Sequence, residues 1–202
     1  MRRTKAEAAL TRQAILRSSL AVFSTKGYAA TRLDDVARLA GVTRGAVYWH
    51  FRGKPELYQA LLQTYAARAA QIQEEVLREG GPWTTIVQRL MVRLFTTVEQ
   101  DRGLQAVLEL GLFKTEESSE LRSIHRKQLD AAEEELRRLA EVIRQAAARG
   151  EIRPDVSPEV AARAFLGLQK GVLRQWLLHP RSFSLTDLAP ALAEAFLHGV
   201  AR

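Results

Sequence analysis

Gly41-Val-Thr-Arg-Gly-Ala-Val-Tyr-Trp-His-Phe51 is the stretch on which the reading of this chain turns. It follows the helical run Leu33-Asp-Asp-Val-Ala-Arg-Leu-Ala40 and precedes a helix start at Lys54-Pro55-Glu56. Glycine at 41 can take the left-handed backbone conformation that ends one helix and turns the chain sharply. Thr43 is then placed to cap a short second helix whose exposed positions are Arg44, Tyr48, Trp49 and His50. Two short helices joined by a glycine turn, the second carrying donors and aromatics, outline a helix-turn-helix that reads a DNA groove.

Charge supports that reading independently. Residues 1–56 hold eleven Lys/Arg and four acids, so this segment alone accounts for the +7 of the whole chain and leaves 57–202 neutral. A basic module on a neutral body suits a polyanion, because each phosphate neutralised releases a condensed counterion. Cysteine is absent, which excludes disulfides, thiolate catalysis and cysteine-ligated zinc. The basic N-terminus lacks the apolar core of a signal peptide, and no apolar run is long enough to span a bilayer. The expectation is a cytoplasmic protein with no membrane partner.

Outward from the motif the whole chain reads as helix. Apolar residues recur at helical spacing, strand-like alternation is absent, and Gly and Pro fall between long periodic segments. A first helix is expected from about Lys5 to Lys26, burying Ile15, Leu16, Leu20 and Phe23 and stopped by Gly27. Thr31 is expected to cap the second helix, with Asp34 three residues on. A fourth helix runs from Lys54 to about Glu79, with proline in its first turn. Gly80-Gly81-Pro82 and Asp101-Arg102-Gly103 break the chain around a fifth helix. A short sixth ends near Phe113, and the longest spans about Ser119 to Arg149. Ser157-Pro158-Glu159 opens the eighth, which Pro180 closes, and the last covers about Thr186 to Val200. The expected fold is all-α, with about nine helices: a helix-turn-helix domain over 1–56 and a helical body over 57–202.

Residues 11–62, with GYAATRLDDVARLAGVTRGAVYWHFRGKPELYQALL, closely resemble the N-terminal domain of TetR-family transcriptional regulators. The RRTKAEA start, the VTRGAVYWHF segment and a later GVLRQWLL are most similar to the acriflavine- and multidrug-responsive subgroup. That resemblance implies a homodimer on a palindromic double-stranded DNA operator, released when a small, hydrophobic or amphipathic effector enters the body, with an efflux system as the expected target. The fourth helix is then the natural lever between operator and effector. An effector-independent DNA-binding protein or an activator is the competing reading.

Arg44 presents a fork suited to guanine, and Tyr48 offers a hydroxyl for phosphate and a ring for a thymine methyl. Thr43, Gly45 and His50 complete the resembled DNA face. Phe51 reads as core, and Trp49 as either core or DNA contact. Thr31, Arg32 and Lys54 are expected at phosphates near helix N-termini. Arg2, Arg3 and Lys5 suit an arm in the minor groove or in solvent.

In the body, Gln105 and Glu109 lie four apart on an apolar helix, and Gln169, Lys170 and Arg174 interrupt another apolar segment. Polar groups on buried faces are costly unless paired, so they form a structural network or line a cavity. By resemblance they match an effector cavity walled by Tyr65, Leu90, Met91, Leu94 and Leu166. The alternative is a Glu109–Lys170 or Glu109–Arg174 ion pair. Leu168, Val172, Trp176, Leu177, Leu188, Leu192 and Phe196 on the last two helices suit a dimer interface or intrachain core. His50, His125, His179 and His198 are dispersed without metal-ligand spacing. No nucleophile, phosphate-loop or paired-carboxylate signature appears, so neither enzyme activity nor a cofactor is expected.

Overall fold

The computed structural model describes residues 4–115, 119–179 and 182–202. Among them the chain forms nine α-helices: α1 (Lys5–Ala30), α2 (Leu33–Leu39), α3 (Arg44–His50), α4 (Lys54–Glu79), α5 (Trp83–Gln100), α6 (Arg102–Phe113), α7 (Arg122–Ala148), α8 (Pro158–Leu178) and α9 (Leu185–Val200). The all-α expectation holds; the extended pairing among described residues is one antiparallel bridge, Ile152 to Ala201.

Helix limits follow the chemistry of their ends. Thr4 and Glu7 form a reciprocal capping box at α1, and Ser157 caps α8 ahead of Pro158. Gly41 has φ 66°, the left-handed turn on which the helix-turn-helix depends. Two boundaries differ from expectation. Gly27 (φ 75°, ψ 172°) kinks α1 without ending it, and helical bonding resumes as far as Ala30. A 3-10 turn, Ser119–Leu121, occupies the expected start of the longest helix, so α7 begins at Arg122. Arg2, Arg3 and Pro180 lie outside the described residues.

The chain divides into two compact units, Met1–Ala67 with Gly103–Ile124 and Arg68–Arg102 with His125–Arg202. The unit carrying the helix-turn-helix is thus larger than the 1–56 read from the motif. α1 with the two seven-residue helices α2 and α3 encloses little apolar volume, and the rest comes from later sequence. Val107, Leu110, Leu121 and Ile124 join Ile15, Phe23, Val36, Val47, Phe51, Leu57 and Leu61 in one buried cluster. Phe23, Tyr28 and Tyr58 add a ring triad, with Phe23 stacked on Tyr28 at 5.8 Å and Tyr28 edge-on to Tyr58 at 5.1 Å.

In the other unit α5 and α9 lie side by side and α8 packs on α9. Trp83, Val87, Met91, Phe95 and Val98 are fully buried on α5, and Phe165 meets Phe196 at 5.2 Å between ring centroids.

Candidate nucleic-acid interface

The short helix α3 is held from behind and open in front. Val47 is its buried residue and Phe51 closes its C-terminus, both in the core. Thr43 caps it, its hydroxyl accepting the Ala46 N–H at 3.2 Å. Arg44, Gly45, Tyr48 and Trp49 remain exposed, and His50 is half-buried. Trp49 is 73% exposed, edge-on to His50 at 4.5 Å, so the structure removes the core alternative for this ring. The aromatic and guanidinium groups expected at a groove therefore share one free surface.

Arg44 is already engaged there. Its Nη1 donates to Asp34 of α2 at 3.3 Å and its Nη2 to the Tyr48 hydroxyl at 3.4 Å. The Tyr48 hydrogen bond first, then the Asp34 charge, raise its pKa, so it stays a cation. Asp34 lies in the first turn of α2, where an acid suits the helix dipole; its contact with α3 is a tertiary feature that no local pattern announces.

Two residues expected at phosphates make contacts inside the fold. Thr31 is 3% exposed, and its hydroxyl donates to the Gly27 carbonyl at 2.7 Å. It secures the kinked end of α1; the N-cap of α2 is Arg32, which makes no side-chain cap. Lys54 Nζ donates to the carbonyls of Tyr28 and Ala29, each at 3.1 Å, and lies 4.4 Å from the centre of the Tyr28 ring. Both carbonyls lie in the last turn of α1, where acceptors lack intrahelical donors, and the contact ties the start of α4 to the end of α1. The Arg32 side chain is exposed.

A second feature escaped sequence reasoning because its partners are far apart. The Tyr28 hydroxyl donates to Glu120 at 2.9 Å, while Lys114 donates to the Ser24 carbonyl at 3.0 Å and to Glu109 at 3.4 Å. Burial, then the Glu120 hydrogen bond and charge, push the Tyr28 phenol far above its usual range, so it acts as a donor. The C-terminal part of α1 is thus gripped by Lys114, just past α6, and by Glu120 of the 3-10 turn.

The expected effector residues divide between the two units. In the first, Tyr65, Gln105 and Glu109 are half-buried, and Glu109 pairs with Lys114 at 3.4 Å. In the second, Leu90 and Met91 are buried, and Leu94 and Leu166 half-buried. Gln169 is 6% exposed between Phe165 and Leu173, one turn away on either side. Lys170 and Arg174 turn outward on α8, and Lys170 pairs with Glu135 at 2.9 Å. Their helical phase sets them beside the buried stripe, not within it. Among the expected dimer residues, Trp176, Leu177 and Phe196 are buried within the chain itself. The Trp176 indole donates to the Phe183 carbonyl at 3.0 Å. Leu168, Val172, Leu188 and Leu192 are half-buried. Among the described residues no helix is long and apolar enough to cross a membrane.

Comparison with known proteins agrees with this geometry. Residues 15–61 match the sequence pattern of bacterial regulatory proteins of the tetR family, and residues 82–201 that of the MAATS-type transcriptional repressor C-terminal region. The chain is 34% identical over 191 residues to the HTH-type transcriptional regulator TtgR of Pseudomonas putida, covering 92% of this chain and 89% of that one. It is similar to the crystal structure of NalD, the secondary repressor of the MexAB-OprM multidrug efflux pump in Pseudomonas aeruginosa. That likeness has a TM-score of 0.84 at 28% identity and covers 98% and 99% of the two chains. A complex of SmeT with triclosan matches with a TM-score of 0.82 at 27% identity, over 96% of this chain and 92% of that one. With both halves of the chain matched and the helix-turn-helix formed as the residues require, this protein belongs to the TetR family of DNA-binding transcriptional repressors, a family of regulators and not of enzymes.

Proposed function

We propose that the protein works as a homodimer on a pseudo-palindromic operator, that a neutral or amphipathic small molecule releases it, and that the operator controls an efflux system. The observation that carries the DNA assignment is the free surface of α3, where Arg44, Tyr48 and Trp49 stand exposed over a buried Val47 and Phe51. A dimer places two such helices on successive major grooves, and an effector acts by favouring a spacing that no longer matches them.

Glycine placement supports the dimer. Val160, Gly167, Gly171 and Leu178 share an exposed stripe of α8. A Cβ added at Gly167, Gly171 or Gly199 would meet nothing within 4 Å, so no contact inside the chain calls for glycine there. Gly167 and Gly171, inside α8, each cost about 1 kcal/mol relative to alanine. Close approach of a second copy's helices accounts for that cost, and the half-buried Leu168, Val172, Leu188 and Leu192 border the same faces.

Gln169 supports the effector. An amide inside a buried apolar stripe is unfavourable without a partner and suits a cavity that orients a ligand. Glu109 and Lys170 are each neutralised by other residues, so neither offers an effector a net charge. The similar structures include a repressor of a multidrug efflux pump and a complex with triclosan, which supports an efflux operon and phenolic or amphipathic ligands for this chain. Selecting duplexes from a random pool yields the operator, whose position beside transporter genes tests the target. Triclosan titrated into the resulting complex tests release.

A further inference from the structure

The two acids in the first turn of α2 have different work. Asp35 is tied to Lys26 at 2.7 Å and Arg38 at 3.3 Å, a tertiary tie between α1 and α2. Asp34 instead reaches across the turn to Arg44. With the Tyr48 hydroxyl on Nη2 and the Tyr48 ring centre 5.5 Å from the guanidinium carbon, Arg44 is held from two sides. The Arg44 and Asp34 side chains are nevertheless 60% and 54% exposed. An ion pair so exposed adds little to folding stability. A carboxylate on a face that meets phosphates also opposes binding. Asp34 therefore opposes DNA affinity, and its ion pair adds little to the fold beyond the helix-dipole place it shares with Asp35; what sets it apart is its hold on Arg44.

We infer that Asp34 is a specificity-determining positioning residue: it orients the Arg44 guanidinium for bidentate contact with a base and withholds it from the phosphate backbone. The inference rests on the proposed reading of α3 as the groove-reading helix. Nη1 and Nη2 each carry two hydrogens, so both keep one for a guanine while bonded to Asp34 and Tyr48. On non-cognate DNA an unrestrained arginine swings to the nearest phosphate, a contact that carries no sequence information. With Asp34 in place, that swing forfeits the ion pair and leaves a carboxylate facing phosphates. The wrong complex is penalised more than the right one, which is how a repulsive element yields selectivity.

The test uses the intact protein, a duplex selected from a random pool, and a scrambled duplex of equal length, with binding followed by anisotropy across a salt series. Asp34→Asn should tighten the scrambled duplex by about tenfold and the selected one by less than about threefold, lowering selectivity. Discrimination should fall at the base read by Arg44, and Asp34→Glu should restore it. Equal tightening on both duplexes overturns the inference, since Asp34 is then only background charge. Arg44→Ala checks the underlying reading separately. If base preference survives Arg44→Ala, the assignment of α3 fails. If it is lost there while Asp34→Asn keeps wild-type selectivity, only the role of Asp34 fails.

Discussion

The carboxylate of Glu99, in the last turn of α5, accepts the backbone N–H of Thr186 in the first turn of α9 at 2.9 Å. It also accepts the Leu185 N–H at 2.9 Å and the hydroxyls of Ser184 and Thr186. A helix start leaves amides without intrahelical partners, and here a residue from another helix satisfies two of them while complementing the dipole. Burial opposes the charged form of Glu99, but the hydrogen bonds from Thr186, Leu185 and Ser184 outweigh it and hold its pKa below the usual glutamate range.

That depressed value sets the sign of a pH dependence. A carboxylate with a lowered folded pKa stabilises the fold above its unfolded pKa, about 4.3, and the contribution is lost as pH falls through the folded value. Thermal melts should therefore show stability declining below about pH 4.5. Glu99→Gln should lower stability at pH 7 by about 1–3 kcal/mol and flatten the acid limb. Parallel acid limbs in wild type and variant would show that Glu99 contributes no ionised interaction.

Lys54 and Arg32 separate clamp from contact. Lys54→Met removes the cation from the Tyr28 and Ala29 carbonyls and should lower the melting temperature, with a loss of about 1–2 kcal/mol. Arg32→Ala, on an exposed side chain, should leave melting unchanged. It should weaken all duplexes alike and reduce the salt slope by about one counterion. A Lys54→Met protein that melts like wild type yet loses salt-dependent affinity would return Lys54 to the phosphates.

Arg44→Ala should weaken the selected operator by roughly 1–3 kcal/mol and relax preference at one position per half-site, with the scrambled duplex little affected. Quantitative competition among single-base operator variants reads this directly. Uniform weakening across all variants would make Arg44 a backbone contact.

What was legible in the sequence was periodic or local. Helix starts at Thr43, Lys54 and Ser157 and the turn at Gly41 follow from residue chemistry within a few positions. Phe51, Tyr48 and Arg44 sort between core and surface as their chemistry suggests, for the same reason. What was not legible joins residues distant along the chain. Nothing near Lys54 in sequence tells that its ammonium meets the Tyr28 and Ala29 carbonyls, and nothing near Tyr28 tells that its hydroxyl meets Glu120. Trp176 and Phe196 show the limit of apolar pattern, since it marks a buried face without saying whether the same chain covers it.

Assembly can be tested without disturbing the core. Leu178→Glu changes an exposed position and should dissociate the dimer while leaving the helical content intact. Trp176→Glu, which buries a charge, should impair folding itself. Gly171→Ala should favour the helix by about 1 kcal/mol in the monomer yet weaken association where backbones approach closely. Sedimentation beside circular dichroism distinguishes these effects. Unchanged dimerisation in both Leu178→Glu and Gly171→Ala would move the interface elsewhere.

Gln169 offers the sharpest test of the effector proposal, because its two roles predict opposite results. If the amide lines a cavity, Gln169→Leu removes a polar group from an apolar stripe. Melting should then be unchanged or higher, by up to about 1–2 kcal/mol. Phenolic ligands that need a hydrogen-bond partner should at the same time lose about tenfold in affinity, and release of the operator should shift to higher concentration. If the amide is a structural link, the same variant should melt lower and respond to ligand as wild type does. Calorimetry with triclosan on the free protein, paired with anisotropy on the operator complex, measures binding and release separately. A destabilised Gln169→Leu protein with full triclosan response would exclude Gln169 from the effector site and leave α8 as plain core.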